Sequence, residues 1–84
     1  MSYYVYLIGG FKKNKFKTYV GYTKNLKKRL FKHNSGKGAK STRGYKWKFF
    51  YYKKYSLKKK AMSQEYFLKK NKLERKKILN KFLN

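Results

Sequence analysis

The sequence contains no cysteine, and this absence excludes disulfide bonds, zinc sites built on cysteine and a thiol nucleophile. It contains no aspartate either, so its only side-chain carboxylates are those of Glu65 and Glu74. Its single histidine is His33. These absences exclude a two-metal carboxylate cluster and a Ser-His-Asp triad. Any hydrolytic chemistry would depend on tyrosine, arginine, the one histidine and one or both glutamates.

Long hydrophobic segments are also absent. The apolar run at residues 5–8 is far too short for a membrane span or for the core of a signal peptide. We therefore expect a soluble intracellular protein, either cytoplasmic or nucleoid-associated. A length of 84 residues leaves room for one domain, residues 1–84, with little spare core.

Negative charge is scarce, whereas positive charge is abundant. Lysine and arginine number 26 against two acids, which gives a formal net charge of +24. Self-repulsion of this size opposes folding unless a polyanion or salt screens it, so we expect a nucleic-acid partner. Hydrophobic residues make up 40% of the chain and aromatic residues 21%, which a disordered basic tail would lack. The chain is expected to fold.

The pattern of aromatic and apolar residues predicts an α+β fold with the order β-β-α-β-α-α. Strands are predicted at residues 3–8, ending in a turn at Gly9 and Gly10, at 16–22 and at 45–55. The first two strands should form an antiparallel hairpin. Helices are predicted at residues 24–33, with Thr23 as N-cap, from a Ser56 cap to about residue 70, and at 71–83.

Helical spacing places several functional side-chain types at the edge of the core. In the first helix Leu26 and Leu30 share one face, and Arg29 and His33 lie within about 60° of Leu26 on a helical wheel. In the second helix Glu65 borders an apolar stripe. That stripe consists of Leu57, Ala61, Gln64 and Leu68. The last helix should bury Ile78, Leu79, Phe82 and Leu83.

The two carboxylates have different local settings. Glu74 stands three residues after Asn71, which is the spacing of a capping box and indicates a structural role. Glu65 has no such role and could serve as a ligand for a hard divalent cation, which needs at least one carboxylate. The structural alternative for Glu65 is an i, i+4 salt bridge with Lys69.

Two basic segments are candidates for contact with a nucleic-acid backbone. The glycine-rich segment 34–44 is expected to be a mobile loop that offers Lys37, Lys40 and Arg43. It differs from a nucleotide-binding P-loop because Ala39 precedes the lysine and a helix precedes the loop. Lys58 and Lys59 lie in the first turn of the second helix, where cations oppose the helix dipole unless phosphates face them.

Spaced elements along nearly the whole chain resemble the GIY-YIG nuclease superfamily. Tyr4-Val5-Tyr6 and Tyr19-Val20-Gly21 resemble its two signature strand elements. The similarity continues through the helix at residues 25–34, the loop at 35–40 and Glu65. In length and order the chain is similar to the small stand-alone bacterial members and to the nuclease domain of the structure-specific endonuclease subunit.

The resemblance implies a three-stranded antiparallel sheet flanked by helices and a one-metal endonuclease that hydrolyses DNA, with repair or recombination as its setting. Glu65 would hold Mg²⁺ or Mn²⁺, and Arg29 would contact the scissile phosphate. Tyr6 or Tyr19 would position or deprotonate the attacking water, with His33 near enough to assist proton transfer.

Two departures from the family pattern keep other functions open. Tyr4 replaces the first glycine of the first element, and Lys77 stands where many members carry an asparagine that supports the metal site. The alternative function is a non-catalytic basic nucleic-acid-binding module, for instance a ribosome-associated protein. A third is a domain that keeps the fold but has lost activity. RNA is not excluded as substrate, and a protein partner could supply targeting.

Overall fold

A computed structural model of the chain describes residues 2–83, including every side chain in that range except that of Leu83. It contains the predicted three-stranded antiparallel sheet, with strand order β2-β1-β3, and three helices in the predicted order. The elements are β1 Tyr3–Lys12, β2 Lys15–Thr23, α1 Leu26–Asn34, β3 Lys46–Tyr55, α2 Lys58–Lys70 and α3 Lys72–Leu83. Within residues 2–83, no helix combines the length and apolar character needed to cross a membrane.

The central strand β1 is covered on both faces of the sheet. Val5 and Leu7 face α2 and α3, and this side is called the α2–α3 face below. Tyr6 and Ile8 face α1 and Trp47, on what is called the α1 face. Because side chains alternate along a strand, a central strand covered on both sides must be apolar at every position. The uninterrupted buried run at residues 5–8 follows from this arrangement.

The hairpin between β1 and β2 is longer than the sequence predicts. Its pairing runs without a break to Lys12 opposite Lys15, which leaves a two-residue turn in which Lys13 has φ 55°. The predicted turn at Gly9 and Gly10 is therefore wrong. Both glycines stay in the strand because aromatic rings cross over them, and a Cβ at Gly10 would lie 2.7 Å from the Trp47 ring.

The helix starts also differ from the prediction. Thr23 does not cap α1; the Asn25 side chain does, accepting a hydrogen bond from Lys28 N at 3.0 Å. Ser56 does not cap α2, which begins at Lys58 with no side-chain cap.

The apolar stripe predicted for α2 is only half buried. Ala61 and Leu68 are buried in the core, but Leu57 and Gln64 are exposed. Leu57 lies ahead of the helix, which begins at Lys58, so the helical spacing that placed it in the stripe does not apply to it.

The last helix, α3, is only partly inserted into the core. Asn71 caps it by accepting a hydrogen bond from Glu74 N at 3.0 Å, which is one half of the predicted capping box. Ile78 and Leu79 pack on the α2–α3 face as predicted. Phe82 remains 47% exposed, contrary to the prediction, because its ring stacks on Phe50 at the rim. The prediction for the Leu83 side chain lies outside the described residues.

The close approach of Trp47 to Gly10 predicts a large difference between two neighbouring glycines. A Cβ at Gly10 would also lie 2.9 Å from the Lys46 carbonyl oxygen, and neither the backbone nor the hydrogen-bonded Trp47 can move easily. Gly10→Ala should lower the free energy of unfolding by about 1–3 kcal/mol in urea titrations at fixed salt. Gly9→Ala, which meets the movable ends of the Phe16 and Phe50 rings, should cost less than half as much. Equal losses at the two positions would contradict this packing.

Candidate functional site

Tyr6, in the middle of β1, lies at the centre of a hydrogen-bonded group on the α1 face. Its hydroxyl is 2.8 Å from His33 Nε2, and it accepts a hydrogen bond from Arg29 Nε at 3.3 Å. Gly21 on β2 pairs directly with Tyr6, and a Cβ there would lie 2.5 Å from the hydroxyl oxygen. A side chain at position 21 would therefore displace the hydroxyl, so glycine is required for this geometry.

The hydrogen-bond network assigns the protonation of His33. Thr42 Oγ1 donates its only proton to the Ala39 carbonyl at 2.8 Å. It must therefore accept from His33 Nδ1, which is 3.0 Å away. With the proton on Nδ1, the neutral imidazole offers the Nε2 lone pair to the Tyr6 hydroxyl. The result is a directed chain in which Tyr6 donates to His33 and His33 donates to Thr42.

The segment predicted to be a mobile loop is anchored beneath this chain. It contains a short 3₁₀ turn, Lys40–Thr42, and Thr42 is fully buried. Trp47 Nε1 donates to the Thr42 carbonyl at 2.9 Å, and Asn34 exchanges two hydrogen bonds with the Trp47 backbone. Gly38 lies so close to His33 that a Cβ there would be 2.5 Å from Nδ1. The segment thus supports the imidazole from below.

Sequence reasoning missed these supporting residues. Thr42 follows a run of loop residues with no periodicity, and Trp47 looks like any strand aromatic. Their roles depend on contacts between α1, the loop and β3 that no local pattern encodes. The nearest available signal was the glycine content of the loop, which indicates close backbone approach but not its target.

Burial and the Arg29 charge set the protonation states of the group. Burial raises the pKa of the Tyr6 phenol to about 12, even though the hydrogen bond and charge of Arg29 lower it; the nearby Tyr19 and Glu65 raise it further. Burial, together with the Arg29 charge, lowers the pKa of His33 to about 4. The hydrogen bond to Tyr6 raises the pKa of Arg29 above its ordinary value. At neutral pH the group therefore consists of a phenol, a neutral imidazole and a guanidinium ion.

Tyr19 and Glu65 complete the surroundings of the Tyr6 hydroxyl. The Tyr19 ring lies 4.9 Å from the His33 ring and 6.4 Å from the Tyr6 ring, centroid to centroid. The Glu65 side chain on α2 is 20% exposed, and its carboxylate makes the predicted ion pair with Lys69 at 3.7 Å. That pair is long and its lysine half exposed, so it holds the carboxylate only weakly. Lys69 lines a small cleft together with Tyr19, and the Glu65 charge acts on the Tyr6 phenol, so this part of α2 lies near Tyr19 and within electrostatic reach of Tyr6.

The donor set fits a divalent metal that is bound by one carboxylate. Within residues 2–83 no three side chains of the metal-binding types come together. Mg²⁺ keeps several waters and commonly uses one or two carboxylates plus substrate phosphates, so Glu65 alone is a sufficient protein anchor. Glu74 does not compete for this role, because it lines a cleft with Phe50 and Tyr51, whereas Glu65 is the carboxylate whose charge acts on the Tyr6 phenol.

The basic residues predicted to contact nucleic acid are all exposed and fall into two groups. Lys37, Lys40 and Arg43 belong to the anchored loop next to His33. Lys58 and Lys59 open α2, and Glu65 lies about 10 Å further along that helix at 1.5 Å per residue. The structure therefore brings Tyr6, Tyr19, Arg29 and His33 together, and Glu65 lies within electrostatic reach of Tyr6. Three of the five basic residues belong to the loop next to His33, and the other two lie at the start of α2.

The assigned tautomer predicts how His33 titrates. Its folded-state pKa of about 4 lies below the ordinary 6.5. Between these pH values His33 is protonated in the unfolded chain but not in the folded chain. The free energy of unfolding should therefore decrease as the pH drops from about 6.5 to about 4. Above pH 6.5 this histidine should not affect stability. Nitrogen-15 NMR of the only histidine should show Nδ1–H at pH 7, and Thr42→Val should disturb that state. An Nε2–H ring, or an unshifted pKa, would contradict the assigned network.

The sequence matches one family model and several curated relatives. Residues 2–78 match the family model described as the GIY-YIG catalytic domain. A UPF0213 protein from Bacillus pumilus is 51% identical over 49 residues, which cover 57% of this chain and 50% of that protein. One from Pediococcus acidilactici is 51% identical over 55 residues, covering 62% and 56%. One from Streptococcus pyogenes serotype M5 is 48% identical over 62 residues, covering 71% and 66%.

The chain spans about half the length of the first of these relatives, and no solved structure matches it. The family match covers most of the chain and includes both strand elements that carry Tyr6 and Tyr19. The sheet, the three helices and their order also agree with the fold that the resemblance implies. The chain belongs to the GIY-YIG nuclease superfamily.

Proposed function

We propose that this protein is a metal-dependent endonuclease that hydrolyses phosphodiester bonds in DNA. GIY-YIG nucleases act on DNA and generally depend on a divalent metal, and membership of that superfamily supports both parts of the proposal. The observation that carries it is the directed chain from Tyr6 to His33 to Thr42, with Arg29 on the same hydroxyl. Any buried tyrosine needs an acceptor for its hydroxyl proton, but a purely structural one would not need a guanidinium directed at the same oxygen.

Tyr6 is better placed than Tyr19 to accept a proton from the attacking water. With a pKa of about 12, Tyr6 is not ionised at neutral pH and cannot act as a preformed phenolate. It can take a proton from water only by releasing its own, and His33 Nε2 is 2.8 Å away with a free lone pair. The two transfers together need no phenolate intermediate. Tyr19, whose ring packs on His33, then serves to fix the site's shape.

By binding the scissile phosphate, Arg29 would also expose the Tyr6 hydroxyl, the proposed proton acceptor. In the structure the Tyr6 side chain is only 1% exposed, and Arg29 Nε contacts its hydroxyl. The two terminal guanidinium nitrogens would bind two phosphate oxygens in a bidentate arrangement. If Arg29 moves towards the phosphate, the Tyr6 hydroxyl becomes accessible to water. Substrate binding would thus prepare the proton acceptor.

The reaction balances without another protein acid. Water attacks phosphorus, its proton passes to Tyr6, and the Tyr6 proton passes to His33. The phosphorus–oxygen bond to the leaving group breaks, and the leaving oxygen takes a proton from solvent. Mg²⁺ or Mn²⁺ held at Glu65 would supply neutralisation of phosphate charge and activation of water. The negative phosphate near Arg29 would offset the cost of charging a histidine whose pKa is about 4.

The cellular setting is part of the proposal. A net charge of +24 favours residence on nucleic acid, which agrees with a nucleoid-associated protein inside the cell. Branched DNA formed in repair or recombination is the substrate that we propose to test first, beside linear duplex and RNA. A protein partner that supplies targeting is also part of the proposal. The residues 1–84 would then act as one nuclease domain.

The two glutamates provide a matched test of the metal anchor. Glu65→Gln should lower divalent-dependent nicking of supercoiled plasmid at least about 100-fold, because the amide removes the anionic oxygen that a hard cation needs. Glu74→Gln should leave nicking nearly intact, since the Asn71 side chain, which caps Glu74 N, is unchanged. DNA binding should persist in both variants. Nicking by the Glu65 variant at the wild-type rate across Mg²⁺ and Mn²⁺ titrations would remove Glu65 from the site. If wild type cuts no DNA or RNA form, the basic binding module becomes the better description.

The two tyrosines provide a test of the proton acceptor. Tyr6→Phe should lower the cleavage rate about 100-fold or more, the usual contribution of a positioned acid or base, while Tyr19→Phe should lower it much less. DNA affinity and circular dichroism serve as controls, because Tyr6→Phe also leaves His33 Nε2 without its donor. Single-turnover rates at saturating DNA separate the chemical step from binding. A larger loss in the Tyr19 variant would reverse the assignment.

A further inference from the structure

A second strongly basic surface lies at the far end of the β1–β2 hairpin, outside the residues assigned above. It consists of Lys12, Lys15 and Lys17 around the ring of Tyr45, and it is called the hairpin patch here. All three lysines are exposed. The tight turn at residues 13–14 holds Lys12 directly opposite Lys15.

The hairpin patch lies on the same face of the sheet as the candidate site. On β1, side-chain alternation places Lys12 on the face of Tyr6. On β2, Lys15 and Lys17 share the face of Tyr19, and their partners on β1 are Lys12 and Gly10. The pairing of β1 with β2 contains no bulge, so the alternation holds along the whole hairpin. A ligand that lies along the α1 face could therefore reach both surfaces.

The lysines of the patch are held against the loop that supports His33. The Nζ atoms of Lys12 and Lys17 lie 5.9 and 5.4 Å from the centroid of the Tyr45 ring. Lys17 Nζ also donates to the Ser41 carbonyl at 2.9 Å. The patch therefore continues into the basic loop rather than standing apart from it. Its position is fixed relative to the Tyr6 hydroxyl, because the same loop contains Thr42.

This concentration of positive charge is not compensated within the described part of the chain. The Glu65 carboxylate pairs with Lys69, and Glu74 belongs to the opposite face. Ammonium groups gathered on one ring repel one another, which costs folding free energy unless an anion is bound. An extended polyanion would satisfy several lysines at once and is the natural occupant.

The spacing between the patch and the site identifies that occupant more closely. Six residues of strand separate Tyr6 from Lys12, which corresponds to about 20 Å at 3.3 Å per residue. Phosphates of one DNA strand follow one another at about 3.4 Å along the helix axis. We propose that the hairpin patch binds the backbone of the same duplex about six nucleotides from the scissile phosphate. This inference rests on the proposed nuclease function for the position of the cut, and it assigns the patch the role of a second backbone contact.

Two double variants of equal charge test the proposal. Lys12→Gln with Lys15→Gln removes two charges of the patch but keeps Lys17, whose hydrogen bond to Ser41 holds the loop. Lys76→Gln with Lys81→Gln removes two exposed charges from α3 and is the control. DNA affinity is measured against salt by fluorescence anisotropy, together with hydroxyl-radical footprints and affinities for duplexes shortened stepwise on either side of the cut.

The patch variant should reduce the slope of log affinity against log salt by about 2, because each lost phosphate contact contributes about 0.9. If the two variants bind equally at 1 M salt, this slope difference corresponds to roughly 60-fold weaker binding at 0.1 M salt. The control should change neither quantity appreciably. Protection about six nucleotides to one side of the cut should disappear only in the patch variant. On duplexes that end less than about six nucleotides from the cut on that side, wild type and the patch variant should bind with similar affinity.

The results separate the patch from the nuclease proposal. If wild type binds DNA but never cuts it, the difference in salt slope between the two double variants still decides whether the patch contacts the backbone. Equal slopes of log affinity against log salt for the two double variants would overturn the proposed backbone contact, even if both variants cut normally. Loss of binding to anionic lipid vesicles without any loss on DNA would overturn it as well.

Discussion

The hydrogen bond from the Tyr6 hydroxyl to His33 joins the central strand to the first helix, and much of the surrounding structure serves to keep it in place. Gly21 leaves room for the hydroxyl, and Gly38 lets the loop approach the imidazole. Thr42 Oγ1 accepts the hydrogen bond from His33 Nδ1, and the Thr42 carbonyl accepts one from the Trp47 indole. A buried polar chain of this kind is costly when any member lacks its partner, which makes its geometry well defined.

The scarcity of acids shapes both the stability and the chemistry of the molecule. One carboxylate, that of Glu74, lies at the start of α3, where the Asn71 side chain caps the Glu74 amide. The other, that of Glu65, lies within electrostatic reach of Tyr6 and pairs with the half-exposed Lys69. With only two side-chain carboxylates, the chain cannot build a carboxylate cluster. In the proposed mechanism a guanidinium and a neutral proton relay would take over part of that task. The buried histidine stays neutral because Arg29 and the absence of solvent both oppose its charging.

Much of the fold could be predicted from the sequence because it depends on periodic patterns. The alternation of aromatic residues revealed the three strands, and the spacing of Leu26 and Leu30 placed Arg29 at the edge of the core. His33, predicted at the same edge, is instead fully buried, because the loop with Thr42 closes over it. The errors arose where tertiary packing overrides a local preference. Gly9 and Gly10 usually indicate a turn, but here aromatic rings from other strands occupy the space of their missing side chains. Thr42 could not be identified, because its function depends on a contact between a helix and a loop without periodicity.

The strand order leaves β2 and β3 as the two edges of the sheet. Open strand edges invite pairing with other copies of a chain, which leads to aggregation. Both edge strands carry several lysines, including Lys15 and Lys17 on β2 and Lys53 and Lys54 on β3. Two such edges repel each other strongly, so this small sheet can keep both edge strands open without pairing with the edge strands of other copies. The same charge that draws the molecule to a polyanion thus also keeps its copies apart.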